Sequence, residues 1–160
     1  MGTRSRIGVM HGDNCKSVYC HWDGYLDHNG RILLEHYDSV KANHLVALGD
    51  ISSLDVGVEI PEGVEHSFSN HVKGITVFYG RDRGEEGVGF DVDPSFEAFF
   101  ERVDGCGAEY YYVMKDGVWY CGDNYEDSPL YRKLVPLAEA LADQDIDQYD
   151  ETEKALMVGA

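Results

Sequence analysis

Arg6 to His11 and Cys15 to His21 are short β-prone runs around Gly12-Asp13-Asn14, a composition suited to a tight turn, and they predict the two strands of a hairpin. From Asn29 the period lengthens. Ile32, Leu33, His36 and Tyr37 recur at helical spacing, and Ala42, Leu45 and Leu48 do so again before Gly49, which predicts two short helices with a glycine cap. Asp50 to His71 sustains no period and reads as a long surface connection, after which Gly74 to Tyr79 predicts a third strand. Asp93-Pro94 reads as a helix start for the apolar stripe Phe96, Phe99, Phe100 and Val103, a core face that ends before Gly105.

Ala108 to Met114 and Val118 to Cys121 flank Lys115-Asp116-Gly117, where the Asp-Gly pair supplies the positive φ angles of a type I′ turn. Ser128-Pro129 predicts the opening of a last helix carrying Leu130, Leu134, Leu137 and Leu141, kinked or split at Pro136. Together these elements predict a single α+β domain over residues 1–142. It has a mainly antiparallel sheet of about five strands, two hairpins plus one strand, with three to four helices mostly on one face. Residues 143–160, with Asp143, Asp145, Asp147, Asp150, Glu151 and Glu153, read as an acidic, mobile tail.

The chain has 160 residues, of which 43% are hydrophobic and 12% aromatic, a globular composition of single-domain size. No run approaches the roughly 18 consecutive apolar residues of a membrane helix, and the N-terminus lacks a signal-peptide core, so a cytoplasmic protein is expected. Cys15, Cys20, Cys106 and Cys121 then read as free thiols. Thirty acidic against thirteen basic residues give a net charge of −17, which disfavours direct binding to nucleic acid or an anionic membrane. The same charge suits solubility or the imitation of a polyanion.

Tyr19-Cys-His-Trp-Asp-Gly-Tyr25 is dense in reactive and aromatic types at a strand end. His21 and Asp23, two apart in an extended segment, would project to one side and form an acid–base dyad or ligate a metal with help from His28, His66 or His71. The bland alternative packs Trp22 in the core and uses His21 and Asp23 to fix the turn. Arg81-Asp82-Arg83-Gly84-Glu85-Glu86 reads as a solvated turn laced with weak ion pairs or a loop locked by arginine forks, with a pair of arginines holding a phosphate or a partner's carboxylate as the alternative. Pro61 to Asn70 has the spacing P-x-G-x-x-H-x-x-x-N of the second cupin motif. Asp55 stands where that motif has glycine, and no H-x-H-x-x-x-E precedes it, so the match is a coincidence. The spacing Asp143-x-Asp145-x-Asp147 fails as a calcium loop, because Gln148 and Lys154 occupy the glycine and glutamate positions. No metal or other cofactor is called for.

The Tyr19–Tyr25 motif, with His28-Asn-Gly30, Leu34-Glu-His-Tyr37, Leu48-Gly-Asp-Ile-Ser-Ser-Leu54, His66-Ser-Phe68, Tyr79-Gly-Arg-Asp-Arg-Gly-Glu85 and the Tyr111-to-Trp119 hairpin, resembles a family of small uncharacterised proteins of tailed bacteriophages and prophages. The resemblance covers about residues 3–121 and carries over no catalytic residue. It implies a small accessory protein made in the cytoplasm of an infected bacterium, outside the virion's structural set, that binds host machinery. With the acidic charge, this leads to a non-enzymatic binder of a basic host protein, imitating nucleic acid, with Trp22, Tyr25, Arg81, Asp82, Arg83 and Glu85 as candidate contact residues. The runner-up is a nucleotide- or phosphometabolite-binding domain, or a small metal-dependent enzyme, gathering His21, Asp23, His66, Arg81 and Arg83. A third reading is an obligate homo-oligomer that uses Tyr110, Tyr112 and Trp119 as its interface.

Overall fold

Apolar residues that alternate along β1 (Ser5–His11) and β2 (Asn14–Cys20) give the centre of the sheet two usable faces. The pair runs antiparallel from Ser5↔Cys20 to His11↔Asn14, and Gly12, at φ 62°, makes the predicted turn. The computed structural model describes residues 2–146. Beyond the hairpin come a π-helical turn (Leu26–Gly30), α1 (Arg31–His36), α2 (Ser39–Ala47), β3 (Ile51–Ser53), β4 (Val77–Phe78), β5 (Asp91–Asp93) and α3 (Phe96–Gly105). The chain continues through β6 (Tyr110–Lys115), β7 (Val118–Asp123), β8 (Val135–Pro136) and α4, a helical segment over 137–146. No helix among the described residues is long and apolar enough to cross a membrane.

The class is α+β, but the sheet is larger than expected: among the described residues eight strands run in the order β4-β3-β2-β1-β6-β7-β8, with β5 also on β2. It is mixed, since β1 pairs β6 and β2 pairs β3 in parallel while the other pairings are antiparallel. The strands that the pattern missed, β3, β5 and β8, have three, three and two residues, too short to show a period of their own. The second hairpin is as predicted, with Asp116 at φ 51° and Gly117 at φ 79°.

Alternation along β6 separates two cores. Tyr112 and Met114 point to the larger one, with Ile7, Val18, Leu33, Leu45, Phe78, Trp119 and Leu137. Tyr111 and Val113 point to the smaller one, with Cys15, Phe99 and Val103. Thus α1, α2 and α4 cover one face and α3 the other. Burying each of Phe99 and Val103 contributes about 1.5–3 kcal/mol. The cap of α3 is Ser95, whose Oγ accepts from the Ala98 N–H at 3.2 Å, and not the Asp93-Pro94 pair that the sequence suggests. Asp93 lies instead in β5, where its carboxylate accepts both Nε (2.8 Å) and Nη2 (3.0 Å) of Arg102 and latches α3 to the sheet. The fully buried Arg6 reaches Ser17 Oγ at 2.7 Å and Asp91 Oδ2 at 2.7 Å, so β5 is tied down from both ends by charge.

The last helix differs from expectation. Leu130 and Leu134 lie outside it and pack on opposite faces of the sheet, and the helix begins only after Pro136, whose ring and missing N–H suit a boundary and not an interior. Helical backbone continues through 143–146, where the sequence placed the start of the tail, and Asp145 pairs with Arg31. The rest of that expected tail, from residue 147, lies outside the described residues.

All four cysteines are free. Burial pushes the thiols of Cys15 up to about 12, Cys20 to about 11 and Cys121 to about 12, while Cys106 is only half-buried. Iodoacetamide at pH 8 is therefore expected to add a single label to the native protein, on Cys106, as read by intact mass. Two or more labels without denaturant would show that the cores open.

Candidate functional site

After Cys20 the backbone keeps pairing for two residues beyond β2: the His21 N–H donates to Ile51 O and the Trp22 N–H to Ser52 O, both at 3.0 Å. It then reverses sharply. Asp23 takes φ 55°, a left-handed conformation costly for a non-glycine residue. Gly24 sits so close to β1 that a Cβ there would meet Ser5 Cβ at 2.7 Å and Thr3 O at 2.9 Å, so the glycine is required.

Buried donors hold this conformation. Three consecutive carbonyls of the turn accept hydrogen bonds: Trp22 O from Asn29 Nδ2 (3.5 Å), Asp23 O from the Asn29 N–H (3.3 Å) and Gly24 O from the Tyr112 hydroxyl (2.6 Å). Asn29 is fully buried, and its Nδ2 also lies 3.3 Å from Ser5 Oγ and 3.4 Å from Cys20 Sγ. Tyr112 is likewise fully buried, at the centre of the larger core. Two interior polar side chains thus fix a loop whose own side chains point outward.

Trp22 is 43% exposed and Tyr25 40% exposed. Trp22 is therefore not the core residue of the bland reading. It lies edge-on to His21, with ring centroids 4.7 Å apart, and His21 Nδ1 is hydrogen-bonded to the Tyr19 hydroxyl at 2.8 Å. Burial pushes the Tyr19 hydroxyl up to about 12, so it stays protonated in this pair at neutral pH. Tyr25 leans on His28 at 6.1 Å. The outcome is an aromatic prominence on a hydrogen-bonded loop, of a kind that sheds little conformational entropy when covered.

The other candidates perform structural work. The buried Asp82 carboxylate accepts from Arg81 Nε (2.9 Å) and Nη2 (3.2 Å), the Phe78 N–H (2.8 Å) and His66 Nε2 (3.3 Å). Burial alone would raise its pKa. The Arg81 guanidinium, the Phe78 N–H and His66 outweigh burial and hold it below the ordinary carboxylate value. His66 Nδ1 accepts the Val72 N–H at 3.0 Å, which leaves the ring proton on Nε2, facing Asp82. Arg81 also donates to Val58 O and Thr76 O and stacks on Phe78 at 4.7 Å. Asp82, Arg81 and His66 therefore form a clasp that holds the irregular 55–76 connection against β4. Arg83 stacks over Phe68 at 4.8 Å, and Glu85 is exposed.

His21 and Asp23 thus lie in the aromatic loop, where the His21 ring meets Tyr19 and Trp22, while His66 and Arg81 are engaged in the clasp. No three His, Cys, Asp or Glu side chains among the described residues are grouped to hold a metal ion. Tyr112 and Trp119, expected to offer an oligomer interface with Tyr110, are buried within the chain, and the Trp119 Nε1–H donates to Tyr37 O at 2.9 Å.

Arg6, Arg31, Arg81, Arg102 and Arg132 all pair with carboxylates of the same chain. Glu62, Glu65, Glu85, Glu86, Glu97 and Glu101 are exposed and have no ion-pair partner among the described residues. Comparison with family models, curated proteins and solved structures finds no match for the chain.

Proposed function

We propose that this chain is a small acidic accessory protein of the bacteriophage type that works without catalysis, in the cytoplasm of an infected bacterium. It binds a basic host protein through the Trp22–Tyr25 loop and competes there with nucleic acid. The observation that carries the reading is the loop itself: a left-handed Asp23, a glycine required by close approach and two buried anchors combine to present two aromatic side chains to solvent. Strained backbone of this kind clusters at functional sites, which favours a task for the surface it shapes. Tryptophan and tyrosine are also the residue types that dominate binding energy in interfaces.

The charge supports the same reading. A net charge of −17 makes the outer field negative and speeds encounter with a basic partner. The alternative, a nucleotide or metal site at His21, Asp23, His66, Arg81 and Arg83, has less support, because His66 and most of the Arg81 donors are engaged in the clasp.

The test is capture from bacterial lysate on the immobilised full chain. A basic, nucleic-acid-binding protein retained at low salt, released at high salt and displaced by added double-stranded DNA is the expected result. If nothing basic is retained in a salt-sensitive way, the reading fails.

A further inference from the structure

We infer that the groove next to the aromatic loop receives a cationic, amphipathic segment of the partner protein, with an apolar side chain against its walls and an arginine or lysine against its rim. This inference rests on the binding role assigned to Trp22 and Tyr25 and specifies the chemistry of what they meet. The groove encloses about 570 Å³, and Leu26, which directly follows Tyr25 in the chain, forms one of its walls. The aromatic loop thus runs directly into a wall of the groove, although neither Trp22 nor Tyr25 lines it. Tyr110, Leu130 and Val135 supply further apolar lining, all half-buried.

The walls are fixed in advance. Asp123, 4% exposed, accepts from the Tyr125 N–H at 3.2 Å and from the Ser128 hydroxyl, while its own N–H donates to Leu130 O at 3.1 Å. Tyr125 closes against Tyr110 edge-on, with centroids 5.7 Å apart. A loop pinned this way keeps its concavity without a ligand, which lowers the ordering cost of binding.

Charge selects the occupant. Asp123 and Asp143 contribute carboxylates to the groove, and no lysine or arginine lines it among the described residues. Asp143 is exposed and without an ion-pair partner among the described residues. Asp123 is already buried and hydrogen-bonded, so the free rim charge is that of Asp143: an acidic or neutral segment would bury that carboxylate uncompensated, whereas an arginine beside an apolar residue matches both rim and walls. The larger groove, of about 700 Å³ between α1 and the β6–β7 turn, is lined by Leu34, Val40 and Val118 and lacks this continuity with the aromatic loop.

The probe is a fluorescein-labelled peptide of alternating leucine and arginine, followed by anisotropy against the full chain, with a leucine–glutamate peptide as control. Gln144, half-exposed on the groove wall, is replaced by arginine so that the protein supplies its own guanidinium; Glu97→Gln on α3 makes a same-sign charge change of one unit at a remote exposed site. We expect the leucine–arginine peptide alone to bind, Gln144→Arg to weaken it by about tenfold or more, and Glu97→Gln to weaken it by about twofold or less. Equal weakening by both variants would show diffuse attraction to an acidic surface and overturn the groove, as would no binding at all. A host protein that still binds Gln144→Arg but not Trp22→Ala would overturn the groove while leaving the role of the aromatic loop intact.

Discussion

Asp82→Ala is expected to lower the stability of the protein by about 3–5 kcal/mol, read as a shift of the urea midpoint. The carboxylate is almost wholly buried and accepts four hydrogen bonds, from Arg81 twice, Phe78 and His66. Removing it strands the Phe78 N–H in the core and leaves the Arg81 guanidinium without its counter-charge, and both changes destabilise strongly. The 55–76 connection contains little regular structure to hold it otherwise, so its amides should lose protection from hydrogen exchange before those of β1 and β6. The pH dependence has a definite sign. A carboxyl whose folded pKa lies below its unfolded value stabilises the fold above the unfolded value, near pH 4, and loses that effect as pH falls through the folded one. The gap between wild type and Asp82→Ala should therefore be widest at neutral pH and narrow in acid below about pH 4. A gap that stays constant would mean that the clasp holds the chain by shape and not by charge.

Asn29→Ala is expected to cost about 2–3 kcal/mol and, more tellingly, to release the aromatic loop. The side chain is fully buried, with Ser5 Oγ, Cys20 Sγ and Trp22 O around its Nδ2. Alanine would leave the Trp22 carbonyl without that donor and a void beside β1, while Asp23 would still pay its left-handed cost. The loop should then relax, with a change in Trp22 fluorescence and weaker partner capture. Tyr112→Phe, which removes only the hydroxyl that meets Gly24 O, should move fluorescence and capture the same way while leaving the core filled. If both variants lose stability but retain Trp22 fluorescence and capture, the anchors serve the fold alone.

Local chemistry made some of this legible in the sequence. The hairpin turn at Asp116-Gly117 needs positive φ at both residues, and the sequence carries the pair that tolerates it. The stripe of α3 and the glycine after α2 are visible from spacing alone, whereas α3 runs through Gly105 and the chain turns only at Gly107, at φ 70°. Strand order was not. The parallel pairing of β1 with β6 joins residues more than a hundred positions apart, and β3, β5 and β8 are too short to carry a period, existing because Arg6, Arg102 and the strands β2 and β7 capture them. The Tyr19–Tyr25 motif marks the loop, yet its anchors are invisible: Asn29 stands only where the period lengthens and Tyr112 reads as an interface residue of the second hairpin, and only the fold turns both inward. The Arg81–Glu86 run is legible as a turn with ion pairs, but the pairing of Arg81 with a buried Asp82 and the arrival of His66 appear only once the connection folds back on them.

The most direct test of the account is the affinity of the captured host protein for Trp22→Ala compared with Glu97→Gln, measured at one salt concentration. Trp22 is an exposed side chain on a held loop, and Glu97 is one exposed carboxylate among many. An interface anchored on the loop predicts a loss of about thirtyfold for Trp22→Ala, the scale of a 2 kcal/mol hot spot, and about twofold for Glu97→Gln. Equal losses for the two variants, or none for Trp22→Ala, would contradict the claim that this loop is the binding surface.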